Sequence, residues 1–315
     1  MSSPSDNGMS ITRTFIRISK IKVNDKIKNI NIFGYKNNDC KCTKKEIERI
    51  KKLGIPPNWK SVCISNSELS HLQATGIDDK GRTQYIYHPM WVLLTSAEKY
   101  NRMGEFSKKI GLLESKIRQD LNSKDCEIPI MFRILQKTYI RVGNDCYAKD
   151  NNTYGLTTLE KRHITISKSN INLSFVGKKG VAQSTNFKDP YCLNYLKDKL
   201  KLLKSNDCVF NTSPTTLNNY LQSVMESDFT CKDFRTYGSN VMFLTILCKL
   251  DTPKTQKEIK DNLKYTYDEV AKKLGHTRAI SKKSYVMGVI SDQYILNPTQ
   301  FNKKNPKTLF KMLCV

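Results

Sequence analysis

The sequence predicts an α+β protein in which a small N-terminal antiparallel β-sheet domain is followed by a larger, mainly α-helical domain. Three observations lead to this prediction. Apolar and polar residues alternate in short runs between residues 11 and 92, as is typical of half-buried strands. From Ser96 onward, apolar residues recur at helical spacing. A short return to alternation over residues 157–180 interrupts the helical part.

Local signals define the elements of the N-terminal domain. The alternating runs ITRTFIRI and INIFGY predict strands between residues 11 and 35. Thr43 and Glu46 have the spacing of a capping box, which predicts a helix that ends at Gly54. The runs WKSVCIS, SHLQATG and TQYIYHP predict further strands. We expect a disordered N-terminus over residues 1–10, a β-rich domain over 11–94 and a helical domain over 95–315.

The helical domain is predicted from periodicity and from its glycine stops. One predicted helix begins at Ser96, and the helix over 131–143 is expected to end at Gly143. A final helix is expected to carry Tyr285, and residues 299–309 are expected to form a loosely ordered basic tail. The predicted helices cover 96–121, 131–143, 191–203, 215–225, 234–250 and 267–274.

The charge of the chain points to a polyanionic partner. The sequence has 53 Lys and Arg against 29 Asp and Glu, a formal net charge of +24. This excess favours nucleic acid first and an anionic membrane surface second. Lysine-rich stretches at 108–116, 197–204 and 254–264 are candidates for contacts with phosphates. The longest apolar run, residues 241–247, is far too short to span a membrane, and we expect no membrane partner.

The cysteines and histidines give no sign of a metal site. Ten cysteines are spread along the chain without a C-x-x-C pair, and the four histidines lie far apart in sequence. Structural zinc sites normally show ligand pairs at short spacing, so we expect no metal and no other cofactor. The N-terminus does not resemble a signal peptide. We expect reduced thiols and an intracellular protein.

The stretch LGHTRAISKKSYV, residues 274–286, raises the question of whether Tyr285 is a core aromatic residue or a nucleophile. A tyrosine that cuts a DNA backbone without metal needs neighbouring positive charge, because its free pKa is about 10. The reaction also needs cations on the non-bridging phosphate oxygens and an acid for the leaving oxygen. Arginine suits the first task and lysine the second. Taken alone, Tyr285 would be a structural residue.

Five segments together resemble the successive signatures of the poxvirus-type DNA topoisomerase IB family. They occur in the family's order between about residues 48 and 290, so the resemblance covers most of the chain. Each segment alone would be weak, but five in order are specific. The segments are HLQATGIDDKGRTQYIYHPMW (71–91), YIRVGNDCYAKDNNTYGLTTLEKRHITI (139–166), FVGKKG (175–180), KDFRTYG (232–238) and LGHTRAISKKSYV (274–286).

The resemblance implies an enzyme of the tyrosine recombinase and topoisomerase IB fold, with a DNA-binding N-terminal domain and a catalytic C-terminal domain. Tyr285 would attack the scissile phosphate and form a 3′-phosphotyrosyl bond. Arg141 and Arg235 would bind the non-bridging oxygens, and His276 would donate a hydrogen bond to one of them. Lys178 would protonate the leaving 5′ oxygen. The family requires neither ATP nor metal.

The resemblance also implies DNA contacts outside the catalytic set. Asn144 departs from the family pattern, because poxvirus enzymes have a base-contacting lysine there, so the poxvirus preference for a short pyrimidine-rich site is not implied. An alternative for the paired tyrosines is that they mark one core-packed face of a strand. The candidate DNA contacts are Arg82, Gln84, Tyr85, Tyr87, Tyr147 and Lys232.

Two rival functions are distinguishable. A tyrosine recombinase or integrase shares most of the catalytic residues but usually carries histidine in an H-x-x-R pattern, where this chain has Lys232 before Arg235. A non-catalytic architectural protein that binds DNA would need none of the five residues. We expect a monomer that clamps double-stranded DNA in two lobes. The lysine- and asparagine-rich composition suggests a virus, with the protein in virions or viral factories, and otherwise in a nucleoid or nucleus.

Overall fold

A computed structural model describes residues 9–23, 26–38, 40–123 and 125–314 of the 315-residue chain. The expected disordered stretch, residues 1–10, lies outside the described residues except for Met9 and Ser10. The chain divides into two compact units, Met1–Lys99 and Tyr100–Val315. No helix in the described part of the chain is long and apolar enough to cross a membrane.

Unit 1 is built on an antiparallel sheet with strand order β3-β2-β1-β4-β5-β6. Helix α1, Lys44–Lys52, begins with the capping box formed by Thr43 and Glu46. Its buried Ile50 joins Ile11 and Ile64 in a small apolar core. The strands are β1 Ile11–Val23, β2 Lys26–Asn37, β3 Cys40–Lys41, β4 Lys60–Ile64, β5 Leu72–Ile77 and β6 Thr83–Tyr87.

Unit 2 is mainly helical, as expected. Its core includes the buried Phe106, whose ring meets the rings of Phe229 and Phe234 edge to face. The helices of the chain beyond α1 are α2 Pro89–Asp120, α3 Glu127–Thr138, α4 Asp145–Asn151, α5 Pro190–Lys201, α6 Pro214–Met225, α7 Cys231–Leu247, α8 Gln256–Leu274, α9 Arg278–Ile280, α10 Gly288–Leu296 and α11 Pro306–Leu313.

Unit 2 also contains an antiparallel sheet of its own, formed by β7 Ile164–Ser167, β8 Asn170–Gly177 and β9 Val181–Phe187. The alternation over residues 157–180 predicted β7 and β8 but stopped short of β9. Strand β9 carries fewer apolar residues, and it is held by continuous pairing with β8 from Gly177 to Ile171. Pairing with a neighbouring strand therefore decides an element that periodicity left undefined.

Several predicted helix boundaries are wrong, and α8, for example, begins at Gln256 rather than at residue 267. Helix α2 begins at Pro89 rather than Ser96, because proline suits the first helical position and His88 Nδ1 accepts a hydrogen bond from the Met90 amide. Helix α3 ends at Thr138 rather than Gly143, because Tyr139 adopts a left-handed conformation with φ of 53°. Residues 139–143 are therefore not helical, and Arg141 lies outside α3.

Two predictions near the C-terminus are also wrong. Tyr285 does not lie within a regular α-helix but ends a π-helical turn, Ser281–Tyr285, in which the Val286 amide bonds to the Ser281 carbonyl. The expected loose tail over 299–309 contains ordered elements instead. Asn305 caps α11, whose Phe310 is buried with its ring against that of Tyr237.

Candidate active site

Arg141 lies on a segment that is held by backbone hydrogen bonds to residues 156–157. Its carbonyl accepts from the Leu156 amide at 2.9 Å. The two backbone segments approach closely at Gly143 and Gly155. A Cβ atom on Gly155 would lie 2.6 Å from the Arg141 carbonyl oxygen. Gly143 has φ of +99°, which favours glycine. These glycines fix the backbone from which Arg141 reaches the site.

Arg235 enters the site from α7 and is only 4% exposed. Its Nη1 donates to the Tyr139 carbonyl at 2.8 Å, and its Nη2 donates to the Leu274 carbonyl. Burial, together with the charge of Arg141, lowers the pKa of Arg235 to about 10, which still leaves it charged at neutral pH. The guanidinium therefore joins the ends of α3 and α8 beneath the candidate nucleophile.

Tyr285 is half-buried and faces both arginines. Arg141 Nη2 donates to its hydroxyl at 3.2 Å, and the Arg235 guanidinium carbon lies 5.4 Å from its ring centroid. Burial raises the pKa of Tyr285, but the charges of Arg141 and then Arg235 outweigh it, so the pKa falls below the ordinary value of 10.0. Tyr285 is thus easier to ionise than a free tyrosine.

His276 stacks on Tyr285. The two rings are 4.7 Å apart between centroids, with planes inclined by 2°. Burial lowers the pKa of His276 below 6.5, and the nearby arginines act in the same direction. Its Nδ1 lies 3.2 Å from the Thr277 carbonyl, while its Nε2 and the Nε of Arg235 are buried without a hydrogen-bond partner among the described residues.

Lys178 lies on the turn between β8 and β9 and is exposed. It has no hydrogen-bond partner among the described residues, so the structure does not join it to Tyr285. Its hairpin is nevertheless linked to the His276 region, because Lys273 donates to Thr185 Oγ1 at 3.2 Å. The Gln183 side chain also packs directly on Gly275.

Comparisons with known proteins identify the family. The family model described as the eukaryotic DNA topoisomerase I catalytic core matches residues 94–304, two thirds of the chain. The model of the bacterial DNA topoisomerase IB N-terminal domain matches residues 33–78. The chain belongs to the type IB DNA topoisomerase family.

Similar curated proteins agree with this assignment. A DNA topoisomerase 1B of Acanthamoeba polyphaga mimivirus is 36% identical over 289 residues, which cover 86% of each chain. The DNA topoisomerase 1B of vaccinia virus, strain Copenhagen, is 29% identical and covers 70% of this chain and 72% of its own. A DNA topoisomerase 1 of Caenorhabditis elegans is 27% identical over 59% of this chain and 25% of its own. The topoisomerase is therefore an isomerase that acts on DNA, rather than a recombinase or a non-catalytic binding protein.

The candidate DNA contacts of β6 fall on two faces of the topoisomerase's first sheet. Tyr85 and Tyr87 are exposed on one face, with ring centroids 6.1 Å apart. Gln84 lies on the opposite face, where its amide donates to Asp78 at 2.9 Å. Arg82 pairs with the same carboxylate at 2.6 Å and lowers the pKa of Asp78 to about 2. The structure thus joins Gln84 to Arg82 and separates it from the tyrosines.

The remaining candidates lie in unit 2. Tyr147 is exposed on α4, and Lys232 is exposed in the first turn of α7. Asn144, the departure from the poxvirus pattern, caps α4 by accepting a hydrogen bond from the Cys146 amide at 2.9 Å. A lysine cannot accept this bond, so Asn144 has a local structural role that its position in the family pattern did not indicate.

Sequence reasoning missed Asn240. This fully buried residue on α7 donates through Nδ2 to the Tyr285 carbonyl at 3.0 Å. Its Oδ1 accepts from the Met287 amide at 2.8 Å. Asn240 therefore holds the backbone on both sides of Val286. The available signal was an amide residue directly before the apolar run of residues 241–247, where a polar side chain needs buried partners.

Proposed function

We propose that the topoisomerase relaxes supercoiled duplex DNA by cutting one strand with Tyr285. The phenolic oxygen attacks the scissile phosphorus, the bond from phosphorus to the 5′ oxygen breaks, and a 3′-phosphotyrosyl bond forms. The proton lost by Tyr285 leaves to solvent, and Lys178 supplies a proton to the departing 5′ oxygen. Attack by the same 5′-hydroxyl on the phosphotyrosyl bond then reverses each of these changes and restores the strand.

The observation that carries this proposal is the cationic surrounding of the Tyr285 hydroxyl. Arg141 donates to it directly, Arg235 lies beneath its ring, and the pKa of the phenol is lowered despite burial. The same two guanidiniums are suited to the non-bridging oxygens of the phosphate, where they would stabilise the additional charge of the transition state. Among the described residues, Arg235 Nε already lacks a partner and is available for such an oxygen.

The hydrogen bonding of His276 limits which of its ring nitrogens can donate to a phosphate oxygen. Its Nδ1 can bond to the Thr277 carbonyl only as a donor, so in the neutral ring Nε2 is an acceptor. Donation from Nε2 to a phosphate oxygen therefore requires either the imidazolium or a change of tautomer. The negative charge of a bound phosphate favours the imidazolium, and it offsets the effect of burial and of the arginines on the pKa of His276.

Between cutting and resealing, the strand that ends in the 5′-hydroxyl rotates about the intact strand. The phosphotyrosyl bond keeps the energy of the phosphodiester, so the cycle needs neither ATP nor metal. Lys178 must approach the phosphate for this cycle, and its side chain is exposed on the turn between β8 and β9. We further propose that the enzyme acts as a monomer that clamps double-stranded DNA, with Arg82, Gln84, Tyr85, Tyr87, Tyr147 and Lys232 among its contacts, in a viral compartment.

A plasmid assay tests the proposal. Supercoiled plasmid is incubated with EDTA and without ATP, and the wild type is compared with Tyr285→Phe. Tyr265→Phe is the matched control, because Tyr265 is an exposed tyrosine on α8. We expect relaxation by the wild type and the control and none by Tyr285→Phe, although all three bind DNA. Relaxation by Tyr285→Phe at the wild-type rate would contradict the proposal.

A further inference from the structure

Strands β1 and β2 form a ribbon that extends well beyond the sheet of unit 1. They pair with each other from Ile11 with Asn37 to Val23 with Lys26. In the described residues, however, β1 pairs with β4 only at Ile11 and Thr12, and β2 pairs with β3 only at Lys36 and Asn37. Residues 13–23 therefore project in a two-stranded ribbon which, at about 3.3 Å per residue, is roughly 35 Å long.

The ribbon is anchored at its base. Arg13 Nη1 donates to the Pro56 carbonyl at 3.0 Å, Arg13 Nη2 donates to the Trp59 carbonyl at 2.5 Å, and the guanidinium stacks over Phe33 at 4.2 Å. Beyond this anchor, large apolar side chains are exposed, namely Phe15 at 58%, Ile16 at 59% and Ile18 at 58%. The ribbon is thus attached firmly at its base, and these three exposed residues are not part of the core of unit 1.

The sequence of the ribbon is strongly basic. Residues 11–37 contain seven Lys and Arg and one acidic residue, Asp25, so their formal charge is +6. The segment before Phe33 is also matched by neither family model, since these cover residues 33–78 and 94–304. The part of the ribbon before Phe33 therefore lies outside both matched family models.

We propose that the ribbon is an additional binding surface for duplex DNA, lying in the major groove. This groove is about 12 Å wide and admits a two-stranded β-ribbon. The positive charge of the ribbon would be balanced by phosphates. Phe15 and Ile18, whose register partners Phe33 and Asn31 lie on one face of β2, would face apolar groups of the bases, such as thymine methyl groups. Pairing of the ribbon with a second copy of the chain is disfavoured, because its excess of six positive charges on open strand edges would repel that of the other copy. The inference rests on the proposed action on duplex DNA and extends its contact area.

The test compares the salt dependence of DNA binding, measured by fluorescence anisotropy on a 40-base-pair duplex. The ribbon variant replaces four lysines by glutamine, and a control variant removes the same charge from exposed positions of α1 in the same unit. The ribbon substitutions are Lys20→Gln, Lys22→Gln, Lys26→Gln and Lys28→Gln. The control substitutions are Lys44→Gln, Lys45→Gln, Lys51→Gln and Lys52→Gln.

Each lost phosphate contact reduces the slope of log K against log salt by about 0.9. For the ribbon variant we expect the magnitude of this slope to fall by about 2–4 and the affinity at 0.1 M salt to fall at least tenfold. For the control variant we expect the affinity to fall less than threefold. Equal losses in both variants, or no loss in the ribbon variant, would overturn the proposal.

A second variant removes the ribbon itself and separates binding from catalysis. Residues 15–33 are replaced by Asn-Gly, which favours a tight hairpin turn between Thr14 and Gly34. We expect weaker DNA binding, an unchanged rate of single-turnover cleavage at saturating DNA, and an unchanged oligomeric state in light scattering. A wild-type dimer that becomes a monomer in this variant, with unchanged DNA affinity, would instead assign the ribbon to self-association. Loss of cleavage in the wild type would contradict the proposed function and not the ribbon.

Discussion

Substitution of Asn240 by alanine tests whether the backbone around Tyr285 must be held from α7. The change removes the donor to the Tyr285 carbonyl and the acceptor for the Met287 amide. Each buried backbone group left without a partner costs about 1–3 kcal/mol, so the two together cost about 2–6 kcal/mol. For a unit of this size, the melting temperature should fall by roughly 2–4 °C per kcal/mol.

Asn240→Ala should also slow catalysis. With Tyr285 no longer held, the single-turnover cleavage rate at saturating DNA and at 20 °C should fall at least tenfold, which corresponds to about 1.4 kcal/mol. Ser239→Ala is the matched control, because this neighbouring buried hydroxyl donates to the Arg235 carbonyl within the same helix and, among the residues that the structure describes, to no other group. Equal melting temperatures and equal cleavage rates for the two variants would refute the argument.

Three further predictions follow from the same geometry. Arg235→Lys should reduce single-turnover cleavage by about 100-fold at most pH values, because one ammonium group cannot bridge two carbonyls and a phosphate as a guanidinium does; a rate within threefold of the wild type would contradict this. Arg141→Gln should move the alkaline rise of the cleavage rate to higher pH, since removing the charge that lowers the pKa of Tyr285 raises that pKa; an unchanged profile would show that another group titrates. Gly275→Ala should lower the free energy of unfolding, measured by urea titration, by about 1–3 kcal/mol, because φ is +63° and the Gln183 side chain occupies the space of the new methyl group. The same substitution in a Gln183→Ala background should cost less. An equal cost in both backgrounds would indicate that only the backbone is strained.

The fold class and most of the helices could be predicted from the sequence because their signals are local. The capping box at Thr43 and the helical periodicity beyond Ser96 are examples. The error at the end of α3 occurs where a distant partner decides the conformation. Tyr139 ends α3 in a left-handed conformation, and its carbonyl is bound by Arg235 from α7, which no local pattern reveals. The exposure of one face of β6 and the partial burial of the other likewise depend on the sheet in which it pairs.

The candidate site shows the same division. The family segments were sufficient to propose Arg141, Arg235, His276 and Tyr285, and the structure brings these four together. Lys178 was proposed from the same resemblance, yet it has no hydrogen bond to them in the described residues. Asn240 was overlooked because its role lies in two hydrogen bonds to a segment more than 40 residues away in sequence. Such contacts depend on how distant segments of the chain pack against each other, which a local sequence pattern does not reveal.

The most direct test of the central claim is to identify the amino acid that becomes linked to DNA. The enzyme is incubated with a nicked duplex labelled at the 5′ end of the cut strand, stopped with SDS and digested, and the DNA-linked peptide is sequenced by mass spectrometry. The account predicts that the peptide contains Tyr285 and that the label stays with the protein, as a 3′-phosphotyrosyl bond requires. A link to another residue, or a protein joined to the 5′ end created at the break, would contradict it.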